Sequence, residues 1–264
     1  MNLVRIISTP VHAQKRLLSD NQLKILHVFD EVCNLINGKQ EVLSIVSPEV
    51  GNGPFNFVLE EAIMFTRHFD LGAKVLIKEN QILIEDLIVS FAYAQEWSPA
   101  PNWAELRKGK DEIIHRLSLL QIDYENEAFL QFAFPLSKAI RGVDISTTKN
   151  ISSKLAGLGM GLTPAGDDYL MGAMYAAWMM HPQEVAKKIT EEIANAATPL
   201  TTSLSGAWLR SAAKGEAGEL WHEFFDALIK NENIYLPMSH ILSVGETSGS
   251  DALMGFLTTL TTDG

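Results

Sequence analysis

Ser98-Pro99-Ala100-Pro101 divides the chain into two parts with different patterns. Proline has no backbone N–H and pushes the residue before it toward extended conformations, so two prolines in four residues end whatever regular structure precedes them. Upstream, apolar residues recur with a period near two. Val42-Leu-Ser-Ile-Val46, Phe55-Asn-Phe-Val-Leu59, Lys74-Val-Leu-Ile-Lys78, Gln81-Ile-Leu-Ile84 and Leu87-Ile-Val-Ser-Phe-Ala-Tyr93 read as short strands, punctuated by Ser47-Pro48, Glu79-Asn80 and Glu85-Asp86. They predict an antiparallel sheet or barrel. Glu60 to His68 reads either as a short helix or as a continuing strand. Downstream the period changes to about 3.6. Trp103 to Leu120 carries a helical stripe of Leu106, Ile113, Ile114, Leu117 and Leu120. Further helices are predicted at Phe129–Ile140, with Pro135 as a kink or break, and at Asp168–Met180, Glu184–Ala196, Ser203–Ala213, Glu216–Lys230 and Ser250–Leu260. The expected class is therefore α+β, with a mainly antiparallel β domain over residues 1–100 and a mainly helical domain over 101–264.

The 264 residues are 47% hydrophobic and 20% charged, an ordinary soluble globular composition with enough length for a sizeable core. The formal net charge is -11, and no basic face is visible, which argues against a nucleic-acid partner. An anionic ligand would have to be held locally, by backbone N–H groups and a few cations. The single cysteine, Cys33, excludes an internal disulfide and fits a reducing cytoplasm. It lies in the apolar stretch Phe29 to Ile36 and reads as a small buried hydrophobe. The opening residues are too short and too polar for a signal peptide. The longest apolar stretch, Tyr169 to Met180, is too short for a membrane span. A cytoplasmic protein without membrane contact is expected.

The helical part carries the chemistry. Gly157-Leu-Gly-Met-Gly161-Leu-Thr163-Pro-Ala-Gly166-Asp167-Asp168-Tyr-Leu-Met-Gly172 precedes one apolar run. Gly245-Glu-Thr247-Ser248-Gly249-Ser-Asp251-Ala-Leu-Met-Gly255 echoes it before another. Gly161 and Gly166 have the spacing of a nucleotide P-loop, but Asp167 and Asp168 stand where that motif needs Lys and Ser or Thr. The third glycine of a dinucleotide fingerprint is also missing, because position 162 is leucine. Thr163 and Pro164 instead read as cap and first residue of a helix, as does Thr247 in the echo, and helix starts offer N–H groups to anions. Asp167, Asp168 and Asp251 could bind Mg²⁺, act as general bases, or accept hydrogen bonds from an amide. Aligned on the threonines, Asp251 matches Asp167; aligned on the Leu-Met-Gly endings, it matches Asp168. Gly161, Thr163, Gly166, Thr247, Ser248 and Gly249 are the expected substrate contacts around these three candidate catalytic carboxylates. Gly172 and Gly255, inside predicted helices, suggest that the two helix starts pack closely against each other. Gly51-Asn52-Gly53-Pro54 is explained as a turn. Its glycines would also let a ligand approach, which adds Asn52 and Gly53 as weaker contacts. Thr201-Thr202-Ser203 either caps the following helix or lends hydroxyls to the site.

These motifs resemble the signature of the DUF2877 family, which includes the H subunit of oxamate carbamoyltransferase. The likeness extends to His27-Val-Phe-Asp-Glu-Val-Cys-Asn-Leu, Gly51-Asn-Gly-Pro-Phe-Asn and Val244-Gly-Glu-Thr-Ser-Gly-Ser-Asp-Ala-Leu-Met-Gly, and so covers most of the chain. Ala165 stands where the family often has serine, and Glu246 where histidine is common. The resemblance implies transfer of a carbamoyl group between oxalurate and phosphate in allantoin and purine catabolism. It also implies partner subunits, one of them a succinyl-CoA-synthetase-like chain. A non-catalytic small-anion-binding or scaffolding subunit and a Mg²⁺-dependent phosphotransferase are the alternatives.

Overall fold

The computed structural model describes residues 2–11, 13, 23–120 and 127–261. It contains two compact units, one reaching to Pro99 and one starting at Ala100.

The first unit is a strand-rich, barrel-like sheet. Its strands are β1 (Asn2–Pro10), β2 (Lys24–Val28), β3 (Val32–Ile36), β4 (Val42–Val46), β5 (Asn56–Leu59), β6 (Val75–Lys78), β7 (Gln81–Ile84), β8 (Leu87–Ser90) and β9 (Gln95–Trp97). They follow the order β2-β3-β4-β5-β1-β8-β7-β6, with β9 also on β1. A bridge between Lys24 and Lys74 joins the two ends. Antiparallel pairing predominates, as the period-two runs predict, but β1 lies parallel to β8 and β9, and β4 parallel to β5. The hairpins β6–β7 and β7–β8 turn at Glu79 and Glu85, both with positive φ. Segment 60–68 forms neither expected element; it contains a single 3₁₀ turn at Phe65–Arg67. The inward residues, among them Leu35, Ile45, Phe57, Ile82 and Val89, are fully buried. Cys33 lies among them, and burial pushes its thiol up to about 12, far from the thiolate that a nucleophile requires.

The second unit is helical: α1 (Trp103–Lys108), α2 (Lys110–Ser118), α3 (Glu127–Arg141), α4 (Ile145–Leu155), α5 (Ala165–Met180), α6 (Gln183–Ala197), α7 (Ser203–Ala213), α8 (Glu219–Ile229), α9 (Tyr235–Leu242) and α10 (Ser248–Thr261). The stripe from Trp103 to Leu120 is two helices because Gly109 interrupts it. Helix α3 runs through Pro135 without ending. Helix α5 is buried almost all round, from Gly166 to Met179 apart from Met171, as befits a central helix. An aromatic cluster of Trp103, Tyr175, Trp178, Trp221, Phe225 and Phe256 surrounds its second half. The indole N–H groups are satisfied within it: Trp103 donates to the Gly215 carbonyl at 2.8 Å and Trp178 to the Ala212 carbonyl at 2.9 Å. No helix among the described residues is long and apolar enough to cross a membrane.

Candidate functional site

Helices α5 and α10 meet through their backbones. A Cβ added to Gly172 would run into the Ala252 carbonyl, and one added to Gly255 would run into the Tyr169 carbonyl. The contact is reciprocal, since Tyr169 and Ala252 each lie three residues before their own glycine. The pattern repeats near the start of each helix. Gly166 sits against the carbonyl of Leu155, the last residue of α4, and Gly249 against that of Ile241, near the end of α9. Gly166 and Gly249 thus occupy matching places at the starts of α5 and α10, each against the preceding helix. The glycines fix the register: Gly166 and Gly249 stand two residues before Asp168 and Asp251, and Gly172 and Gly255 four residues after them. Asp251 is therefore the mate of Asp168, which settles the alignment that the sequence leaves open.

Between the two helix starts, the hydroxyls of Thr163 and Ser248 are hydrogen-bonded at 2.9 Å. This link joins the two loops. It also corrects the expected cap. Pro164, extended at φ -54 and ψ 141, precedes a helix that begins at Ala165, and no side chain caps it. The Thr163 hydroxyl is turned across to the other loop. The expected anion cradle is changed as well. The N–H of Gly166 donates to the Leu158 carbonyl at 2.8 Å and that of Asp167 to Pro164 at 2.9 Å, while Gly249 donates to Val244 at 3.1 Å. The loops fold back over the helix starts and take up donors that an anion would need.

Asp168 and Asp251 are 6% and 5% exposed, and Oδ2 of each has no hydrogen-bond partner among the described residues. Burial pushes the Asp168 carboxyl up to about 8. Hydrogen bonds from Ser248 and Thr163 oppose that rise, and the charges of Asp251 and Asp167 add to it. Burial also raises Asp251, against a hydrogen bond from Thr247. A third unpartnered polar atom lies further along α5. The Tyr175 hydroxyl, two turns along α5 from Asp168 and fully buried, has no partner among the described residues. Burial raises it, and the charges of Glu216 and Asp168 raise it further. Sequence reasoning misses Tyr175. The seven-residue spacing from Asp168, which puts both on one helix face, is the signal that could have found it.

The sequence groups Asp167 with the other two aspartates, but its contacts set it apart. It accepts the Gly157 N–H at 3.1 Å, the Ser205 hydroxyl at 2.8 Å and the Thr201 hydroxyl. Thr202 caps α7 by accepting the Ser205 N–H at 3.0 Å, and its hydroxyl donates to the Leu162 carbonyl at 2.6 Å. Asp167 therefore clasps the first loop to the start of α7. Asp167→Ala is expected to destabilise the protein by about 3 kcal/mol or more, because each buried donor left unpaired costs about 1–3 kcal/mol. Urea denaturation measures this, and a loss below about 1 kcal/mol would mean that the clasp is not its role. With Asp167 engaged, no group of three or more His, Cys, Asp or Glu side chains among the described residues is arranged to hold a metal ion.

The remaining expected contacts are scattered in role and place. Gly161 has φ +97, which glycine alone adopts without strain, and faces open space. Gly166 and Gly249 are packing positions. Thr247 is exposed and bonds Asp251. Asn52 and Gly53 belong to the β unit. The Asn52 side chain accepts the Ser8 hydroxyl at 2.5 Å, and Asn56 donates to the Gly51 carbonyl at 3.0 Å, so the turn is tied by its own bonds.

A family profile described as oxamate carbamoyltransferase subunit AllH matches residues 155–260, a span holding both loops and everything between them. A second, described as the AllH family N-terminal domain, matches residues 5–96, the strand-rich unit. No solved structure matches the chain. DUF2877 is an older name for the same family. The chain belongs to the AllH family, the family of a subunit of oxamate carbamoyltransferase.

Proposed function

We propose that the two paired loops form the carbamoyl-handling site of this subunit, acting on oxalurate and phosphate in the cytoplasmic breakdown of allantoin. One observation carries the reading: two buried carboxyl groups, one near the start of each of two helices packed together and each with an unpartnered Oδ2, stand side by side in the register of their glycines. In the reaction, the bond between the carbamoyl carbon and the oxamate nitrogen breaks and a bond from that carbon to a phosphate oxygen forms. A proton passes to the leaving nitrogen, giving carbamoyl phosphate and oxamate. Asp168, which keeps its proton near neutrality, donates it to that nitrogen and regains one from the attacking hydrogen phosphate, and Asp251 accepts the N–H of the ureido group. The Thr163–Ser248 link holds the two loops at a fixed separation while this happens. The other subunits, one of them a succinyl-CoA-synthetase-like chain, complete the enzyme. A Mg²⁺-dependent phosphotransferase has less support, because Asp167 is committed to Gly157, Thr201 and Ser205.

In the complex reconstituted with its partner subunits, Asp168→Asn and Asp251→Asn are each expected to lower phosphate-dependent oxalurate cleavage about 100-fold or more, the usual contribution of a positioned acid or base. Undiminished turnover in both variants removes the pair from the mechanism.

A further inference from the structure

Neither loop, from Gly157 to Asp168 or from Val244 to Asp251, contains a lysine, arginine or histidine. Among their side chains, only hydroxyls and carboxyls can carry a proton. Two hydroxyls reach Asp168, since Ser248 and Thr163 both hydrogen-bond its carboxyl. The other two are engaged elsewhere: Thr247 bonds Asp251, and Ser250 donates to the Thr247 carbonyl at 2.7 Å. The oxygen that Ser248 and Thr163 reach is Oδ1, because Oδ2 has no partner among the described residues. The same two hydroxyls contact each other at 2.9 Å, and either can be the donor. Each has a single hydrogen to give. If both gave it to Asp168, their own contact would hold none. The three groups are therefore satisfied in series: one hydroxyl donates to the other, and the second donates to Oδ1. The first hydroxyl keeps lone pairs that can accept a hydrogen from outside the series. Thr163 and Ser248 are half-buried where Asp168 is buried, so the series leads from a more exposed position to the carboxyl.

We propose that Thr163 and Ser248 form a proton relay, which takes the proton of the attacking hydrogen phosphate and hands one to Asp168 at Oδ1 while Asp168 gives up the proton on Oδ2 to the leaving nitrogen. The inference rests on the proposed function and adds the path by which its acid is reloaded. The O–H bond of the hydrogen phosphate breaks as its oxygen attacks the carbamoyl carbon. The first hydroxyl gains that hydrogen and passes its own to the second, which passes its own to Oδ1. Each hydroxyl ends with one hydrogen, as it began, and the carboxyl proton has moved from Oδ2 to Oδ1. Rotation of the carboxyl and of the two hydroxyls restores the starting arrangement. The relay takes one hydroxyl from each loop, so Asp168 is reloaded only while the two helix starts are held together.

Oxalurate cleavage by the complex reconstituted with its partner subunits tests the relay in Thr163→Val, Thr163→Ser and Ser248→Ala, each at rising imidazole concentration. Valine removes the hydroxyl and keeps nearly the same shape; serine keeps the hydroxyl. Thr163→Val and Ser248→Ala are each expected to lower kcat about tenfold or more, with KM for phosphate and oxalurate within about threefold of the wild type. Thr163→Ser stays within about threefold of the wild-type kcat. Imidazole, a mobile proton carrier, restores turnover to Thr163→Val and Ser248→Ala and leaves the wild type unchanged. A pair that only ties the loops together would gain nothing from imidazole. Where Thr163→Val fails to assemble, Ser248→Ala gives the same reading. An unchanged kcat overturns the relay, as does a loss of turnover that imidazole does not recover. If Asp168→Asn abolishes cleavage while Thr163→Val and Ser248→Ala leave it intact, the relay falls and the functional reading stands. A wild-type complex that leaves oxalurate intact overturns both.

Discussion

Asp168→Asn is expected to raise the melting temperature at pH 8 by about 5 °C and to leave it nearly unchanged at pH 4. The Asp168 carboxyl is 6% exposed, and burial first, then the neighbouring carboxylates, push it up to about 8 from an ordinary 3.8. The folded state therefore binds this proton more tightly than the unfolded state does. As pH rises through about 4 the unfolded chain releases the proton while the folded chain keeps it, so stability declines until about pH 8 and then levels off. At about 1.4 kcal/mol per unit the whole span has an upper bound near 6 kcal/mol, and hydration of the ionised group would reduce it to about half that size in order of magnitude. Asparagine has the same shape, keeps an oxygen for Ser248 and Thr163, and carries no charge to bury. Calorimetric scans from pH 4 to pH 9 decide the matter. A wild-type-minus-variant difference that does not grow with pH would show that Asp168 is not held protonated. Together with the activity assay, the same substitution separates roles: a variant more stable at pH 8 and inactive in turnover has lost chemistry, not structure.

Gly172→Ala and Gly255→Ala are each expected to remove more than about 3 kcal/mol of stability, or to prevent soluble accumulation altogether. In each case the new methyl meets a backbone carbonyl of the opposite helix, which has no rotamer to move aside. Overpacking against mobile side chains costs about 1–3 kcal/mol, and a rigid backbone gives less relief. Gly109→Ala is the internal control. Its Cβ would meet the Ile113 side chain at 3.5 Å and the Glu105 carbonyl at 4.0 Å, ordinary contacts, so less than about 1 kcal/mol of change is expected. The double variant Gly172→Ala/Gly255→Ala should lose less than the two single losses combined, because one substitution has already parted the helices. Additive losses would mean that the two glycines do not share one contact. The same parting separates Thr163 from Ser248, so a surviving single variant should also lose turnover.

Much of the fold is legible in the chain's own periodicity. The change of period at Ser98-Pro99-Ala100-Pro101 marks the change from strands to helices, because alternation suits a pleated, half-buried strand and a 3.6-residue period suits a helix face. The runs Val42–Val46, Gln81–Ile84 and Ser203–Ala213 form elements with the predicted bounds. Helices α4 and α9 escape such a reading: Ile145–Leu155 is largely Ser, Thr, Lys and Asn, and Tyr235–Leu242 is short and contains Pro237, so neither announces an apolar face. The parallel pairings of β1 are equally hidden, since alternation reports which face is buried and not which strand lies alongside.

The echo of glycine, threonine and aspartate is legible as composition, because those residues have local reasons to stand at turns and helix starts. Their partners are not. Asp167 and Asp168 are adjacent in the chain, yet successive residues of a helix point about 100° apart. One therefore faces Ser205 and Thr201, and the other faces Ser248 and Asp251. Residue types and their local preferences are enough to announce two helix starts rich in carboxylate. Which carboxylate is tied down and which is left buried with a free oxygen depends on contacts between residues far apart in sequence, and those exist only once Gly172 and Gly255 have brought α5 and α10 together.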